Sequence, residues 1–268
     1  MTAAPKMTDP DELRSTTTHP SEPQTWLDPE DYPNVDHLIT EDDTPLDNLF
    51  VAKQQRLLVE SLYGSPLFAE RGFLADSNVG VFTSIHKGAI VPNVFLSLDV
   101  DLPPNFHEKR YRSYFIWEYG KPPDVVIEII SDLRGGELGA KKAAYARMGV
   151  HYYIIFDPAR HFKTAPLCFF KLDLSAYEER AAGWFPDIGI GLALWEGTYE
   201  SVPGTWLRWC YEDGTVIPTS AEYAEQERQR AEQERQRAKQ ADQRAEQADQ
   251  RAERLRAQLR ALGVEPTE

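Results

Sequence analysis

Cysteine is scarce in this chain: Cys168 and Cys210 are the two among 268 residues. Each stands among aromatic or apolar neighbours, which argues against both a disulfide framework and a zinc site and makes a reducing cytoplasm the default compartment. Long apolar runs are also missing. No stretch approaches the roughly 20 apolar residues of a membrane span, and the N-terminal segment carries Pro, Thr, Asp and Glu where a secretory signal would be apolar. A soluble, unexported protein without membrane contact is expected. Positive charge is in short supply too, with 29 Lys and Arg against 43 Asp and Glu and a net charge of −14. From Ala224 to Leu262 ten basic residues outnumber eight acidic ones, so the remainder of the chain carries −16. A body so acidic excludes a broad nucleic-acid-binding surface and confines any phosphate contacts to a local groove. Lys109, Arg110 and Arg112 in HEKRYRS, together with Arg134, are candidates for its lining. A solvated basic loop explains the first three equally well.

What is present divides into three parts. Residues 1–24 are polar and punctuated by proline, as expected of a disordered segment, and 263–268 form a short disordered end. Residues 25–219 have the length and apolar content of one domain. They open on an acidic lead-in over 26–47 held by Trp26 and Tyr32. Asn48 then caps a helix to Tyr63 whose apolar face takes in Leu49, Phe50, Lys53, Leu57, Leu58 and Leu62. Strands are expected over 67–75, 80–85, 90–98, 124–131 and 152–156, with shorter antiparallel additions over 167–172, 191–195 and 206–210. Trp184, Trp195, Trp206 and Trp209 read as core and edge packing rather than as a base-stacking platform.

The third part, 220–262, is built from Ala, Glu, Gln and Arg and favours a long helix. A seven-residue period places Ala224, Ala231, Ala238, Ala245, Ala252 and Leu259 at one seam position. Three residues on from each come Glu227, Glu234, Ala241, Ala248, Leu255 and Leu262. This is an a/d pattern, apolar mainly at its end, and it predicts a homodimer through a parallel coiled coil. A solvated single helix is the alternative. Nothing in its pattern calls for an apolar contact with the sheet.

The chemistry concentrates in 123–158. Val125, Val126, Ile127, Ile129 and Ile130 read as a central strand buried on both faces, interrupted by Glu128. A carboxylate there requires a cation, a metal or strong donors, because stripping its water costs several kcal/mol. After Gly135 and Gly136 the spacing predicts a helix over 137–148, closed by Gly149. Its inner stripe is Leu138, Tyr145 and Met148, and helical steps place Lys141 on it, whereas Lys142, about 100° round, should face water. Lys141 is therefore the partner expected for Glu128. The same spacing suits a structural ion pair.

The set Glu128, Ser131, Lys141, Tyr145, Gly149, Val150, Tyr153, Asp157 and Pro158 resembles the Uma-type restriction endonucleases of the PD-(D/E)XK nuclease superfamily. The resemblance extends over about 26–197. It implies an α/β (α+β) fold, a restriction-endonuclease-like mixed central sheet flanked by helices, here followed by the long C-terminal helix. It further implies a metal-dependent endonuclease acting on DNA with Mg²⁺ or Mn²⁺, in which Glu128 is a metal ligand and Lys141 the catalytic lysine. In the superfamily's usual E-x-K the lysine would fall at Ile130. The family's second carboxylate, from a Pro-Asp pair, corresponds to Asn93 in IVPNVFLSL. Asn93 keeps a ligating carbonyl but lacks the charge, so the metal should bind weakly. Asp124 lies about 13 Å along the strand from Glu128 and is too far to share one ion. Asp99 is an outside candidate and Asp101 lies further along. Tyr152 stands where such proteins usually carry Glu. The reading of a different class is a catalytically silent module that keeps the nuclease fold and assembles through its tail.

Overall fold

The computed structural model describes residues 33–34, 48–103, 105–131, 137–162, 165–181 and 183–261. The expected disordered ends, Trp26, Tyr32, Arg134 and Leu262 lie outside these residues. Helix α1, Leu49–Tyr63, starts where the side chain of Asn48 accepts the Val51 N–H at 3.0 Å. Val51, Leu57, Leu58 and Leu62 are buried on its inner face. Leu49, expected there, is 84 % exposed. It shares a helix edge with Lys53, and that edge turns outward to pair with Glu200. Two glutamines are buried instead, each fully engaged. Gln54 clamps the backbone of Leu207 through both its amide atoms, and Gln55 exchanges hydrogen bonds with the Asn78 side chain.

The strands are β1 Phe73–Ser77, β2 Val81–Phe82, β3 Val94–Leu98, β4 Tyr114–Phe115, β5 Val125–Ile129, β6 Tyr152–Phe156, β7 Leu167–Asp173, β8 Ala176–Arg180, β9 Trp184–Phe185, β10 Ile190–Tyr199 and β11 Val202–Cys210. One sheet runs β1-β3-β5-β6-β7-β8, a second runs β11-β10-β9, and β2 pairs with β4. Within the large sheet β5 and β6 are parallel and the other neighbours antiparallel, giving the expected mixed sheet. Several boundaries differ from the sequence reading. The strand expected from 67 starts at Phe73, because Pro66 opens a 3₁₀ turn over Pro66–Phe68. The strand expected from 90 starts at Val94, since Pro92 has no N–H to give to a ladder. Strand β8, AYEER, is mostly exposed and has no apolar alternation to reveal it. The strands over Ile190–Tyr199 and Val202–Cys210 form their own sheet rather than an edge of the large one.

Strand β5 is buried throughout and divides its side chains between two layers. Val125, Ile127 and Ile129 pack with α1 and the β9–β11 sheet, where Trp209 donates to Leu58 O at 2.8 Å. Val126 and Ile130 join Phe95, Tyr145, Tyr153 and Ile155 in the other layer. Beyond the short helix α2, Ile116–Tyr119, the second layer is covered by α3, Lys142–Met148, which continues a π-helical turn over Glu137–Lys141. Gly149 ends it with φ +90, a left-handed conformation that glycine adopts without strain.

Helix α4, Ser220–Ala261, has no buried residue. Its first turn is nevertheless tied to the domain. Thr219 and Glu222 form a capping box, with Glu222 N–H donating to Thr219 Oγ1 at 3.2 Å and Thr219 N–H to the Glu222 carboxylate at 2.8 Å. Glu222 also takes two hydrogen bonds from Arg208, whose side chain is 2 % exposed and whose guanidinium lies over Trp195. The heptad pattern alone gives no sign of this polar junction.

Candidate active site

Glu128 is 1 % exposed near the end of β5, with β3 on one side and β6 on the other. Lys141 Nζ donates to its Oε2 at 3.1 Å and the Tyr145 hydroxyl donates to Oε1 at 2.8 Å. The two donors are four residues apart and therefore one helical turn apart on one face, which brings both over the same strand residue. Lys141 closes the π turn and remains 30 % exposed, so it touches the buried carboxylate and solvent together. Burial, then the charge and hydrogen bond of Glu128, push the Tyr145 phenol far above its usual pKa. It stays protonated and acts as a fixed donor to Glu128. Its position in the inner stripe was legible in the sequence, but its bond to Glu128 was not drawn from it.

Asn93 lies just before β3. Val94 faces Ile127 in the antiparallel register, and one further step sets Asn93 beside Glu128. Its Oδ1 accepts the Ile129 N–H at 2.7 Å, closing the ladder where β3 gives way to a bend. The bend is itself held from α1. Asn78, with φ 55 and its side chain bonded to Gln55, donates its backbone N–H toward the carbonyls of Pro92 and Asn93.

The remaining acidic candidates fall elsewhere. Asp124, at the opposite end of β5, accepts from Leu98 N–H and from Lys121 Nζ at 2.6 Å. Asp99 forms a two-pronged pair with Arg71, whose hydrogen bonds hold the carboxyl below its usual range. Asp101 is exposed. Tyr152 packs in the α1 layer, on the opposite face of the sheet from Glu128, and donates to Asp187 at 2.7 Å. A glutamate at 152 would not reach this site without leaving that layer. Lys142 departs from expectation: its Nζ sits 3.4 Å from the Phe170 ring centre, and burial lowers its pKa. The apolar surface of β7 draws it in. Arg110 pairs with Glu118 at 2.7 Å, and Arg112 donates to His107 O. Asp157 accepts the N–H groups of His161 and Phe162, fixing the turn after β6.

Glu128 and Asn93 offer a divalent cation one carboxylate and one amide oxygen. Each of these oxygens accepts a hydrogen bond, and a carboxylate or amide oxygen carries two lone pairs. The set matches the minimum for Mg²⁺, one carboxylate with water and phosphate oxygens filling the octahedron. Among the described residues no three His, Cys, Asp or Glu side chains gather into a fuller site.

No curated protein and no solved structure matches the chain. Residues 44–180, about half of its length, match the profile of Uma2, described as Putative restriction endonuclease. The matched span holds α1, the whole six-stranded sheet and the Glu128 cluster, and the mixed α/β architecture agrees with it. This chain belongs to the Uma2 restriction endonuclease family, has its restriction-endonuclease-like fold, and by that membership points to a nuclease.

Proposed function

We propose that the protein is a metal-dependent endonuclease that hydrolyses DNA phosphodiester bonds at Glu128, with Mg²⁺ or Mn²⁺ held by Glu128 and Asn93. The observation that carries this reading is the buried Glu128 carboxylate, braced by Lys141 and Tyr145 and flanked by Asn93. A divalent cation bound there would polarise the scissile phosphate and lower the pKa of an attacking water. Tyr145 holds one carboxylate oxygen in a fixed direction. Lys141, flexible and partly exposed, orients the attacking water and offsets negative charge as the P–O bond to the leaving oxygen breaks. The proton released by the water passes to solvent. Asn93 orients its carbonyl through Ile129 N–H, and its lack of charge makes the cation weakly held.

DNA is the proposed partner. A homodimer through α4 is the proposed assembly, supported by Leu255 and Leu259, which are 51 % and 38 % exposed on a helix with no buried residue. Two buried cysteines, neither in a disulfide, support a reducing cytoplasm. No helix among the described residues is long and apolar enough to cross a membrane. The second reading, a silent assembly module, is favoured by Asn93, whose oxygen is engaged in holding the sheet.

Incubation of purified protein with supercoiled and linear DNA decides the matter. Cleavage should require Mg²⁺ or Mn²⁺ and stop with EDTA; cleavage that persists in EDTA would overturn the metal mechanism.

A further inference from the structure

A second feature lies on the same sheet face as Glu128. Asp76 on β1 stands opposite Phe95 on β3, two residues along from Asn93. Two strand spacings and that offset put Asp76 about 12 Å from Glu128, close enough for neighbouring nucleotides of one strand to reach both. Asp76 lines a cleft of ≈ 320 Å³ together with Phe106, Tyr111, Arg112, Ser113 and Tyr119. Tyr119 stacks on the buried Tyr114 with ring centres 4.5 Å apart and planes 12° from parallel, so part of the wall is a fixed aromatic surface. Phe106, 53 % exposed, stands at the rim.

Two polar groups in this lining are unspent. The Ser113 hydroxyl is buried without a hydrogen-bond partner, which is costly unless something docks there. Asp76 is exposed to solvent; among the described residues it pairs with no cation and accepts the N–H of Ser77, and partial desolvation raises its pKa. An aromatic cleft with an open carboxylate acceptor suits a flat heterocycle carrying N–H donors.

We propose that this cleft receives a single nucleobase, stacked on the tyrosine and phenylalanine rings and read at its amino or imino edge by Asp76. The assignment rests on the nucleic-acid reading of the Glu128 site. A carboxylate accepts and never donates, so it selects the edge with most adjacent donors. Guanine, with N1–H beside N2–H, fits best; thymine, whose one N–H lies between two carbonyls, fits worst. Arg112, in the same lining, would supply positive charge for the attached phosphate.

The test is calorimetric titration of the full chain in EDTA with dGMP, dCMP, dAMP and dTMP, so that neither metal nor cleavage enters. The expected result is binding strongest for dGMP and weakest for dTMP. Asp76→Asn should weaken dGMP about tenfold or more and flatten the preference, while Phe106→Ala weakens all four alike because stacking has little base preference. Thermal melting of each variant shows that the fold persists. Equal affinity for the four nucleotides, an unchanged Asp76→Asn profile, or no binding would overturn the proposal. If nucleotides fail to bind while plasmid cleavage persists, the pocket alone falls. If dGMP binds as expected without cleavage, the pocket stands and the nuclease reading falls.

Discussion

At the scale of single residues, the central question is how a carboxylate survives inside an apolar sheet. Glu128 does so by accepting from Lys141 on one oxygen and from Tyr145 on the other, two donors that meet there because they lie four residues apart on one helical face. Lys141→Ala should abolish cleavage yet tighten Mn²⁺ binding in calorimetry, since it removes a resident cation that shares Glu128. Looser metal binding would instead make Lys141 a support of the metal site. Lys142→Ala should retain cleavage and lower stability by about 0.5–1 kcal/mol through loss of its contact with Phe170. Tyr145→Phe should cost about 1–3 kcal/mol by leaving a buried oxygen one donor short. Urea denaturation reads both stability changes. Asn93→Asp should tighten metal binding and raise cleavage above wild type; tightening without cleavage would favour the silent-module reading. The meeting of Glu128 and Lys141 was legible because both the strand run and the helical spacing are local patterns. The bond from Asn93 to Ile129 was not, since it depends on the register between strands 36 residues apart.

At the scale of elements, α4 shows the limit of a periodic reading. Its helical character follows from composition, but its attachment depends on a buried arginine arriving from β11. Removal of Glu222 would leave the Arg208 guanidinium without its carboxylate. Glu222→Ala should therefore destabilise the domain by about 2 kcal/mol, below the range for a fully buried pair because Glu222 keeps contact with water. A chain ending at 219 should show the same loss, whereas one ending at 225 should match full-length stability. Burial opposes the charge on Glu222, but the hydrogen bonds from Arg208 and Thr219 prevail and hold its pKa below the usual 4.5. Its stabilisation is thus present above the ordinary glutamate range and lost as pH falls through the lowered folded value. Between about pH 5 and pH 3 the urea midpoint of the native protein should fall faster than that of Glu222→Gln. Parallel slopes would show that the pair adds nothing. Long apolar strands such as β5 and β6 were legible by their side chains alone; β4, β8 and β9 were not, because their order comes from neighbours.

For the whole molecule, the mixed sheet separates two layers, one around α1 and Trp209, the other holding Glu128, Asn93 and the Asp76 cleft. The net charge of −14 makes a confined site necessary, and the long helix offers a way to place two such sites in one particle. Light scattering should give twice the mass per particle for the full chain relative to a chain ending at 225, after correction for the deleted residues. Equal corrected masses would leave α4 a solitary helix. The most direct test of the account is plasmid cleavage by Glu128→Gln in Mg²⁺ and Mn²⁺ beside the native protein. The exchange preserves shape and an acceptor for Tyr145 while removing the charge. Metal-dependent nicking by the native chain and none by a folded Glu128→Gln variant is the predicted result; equal cleavage by the two would contradict it.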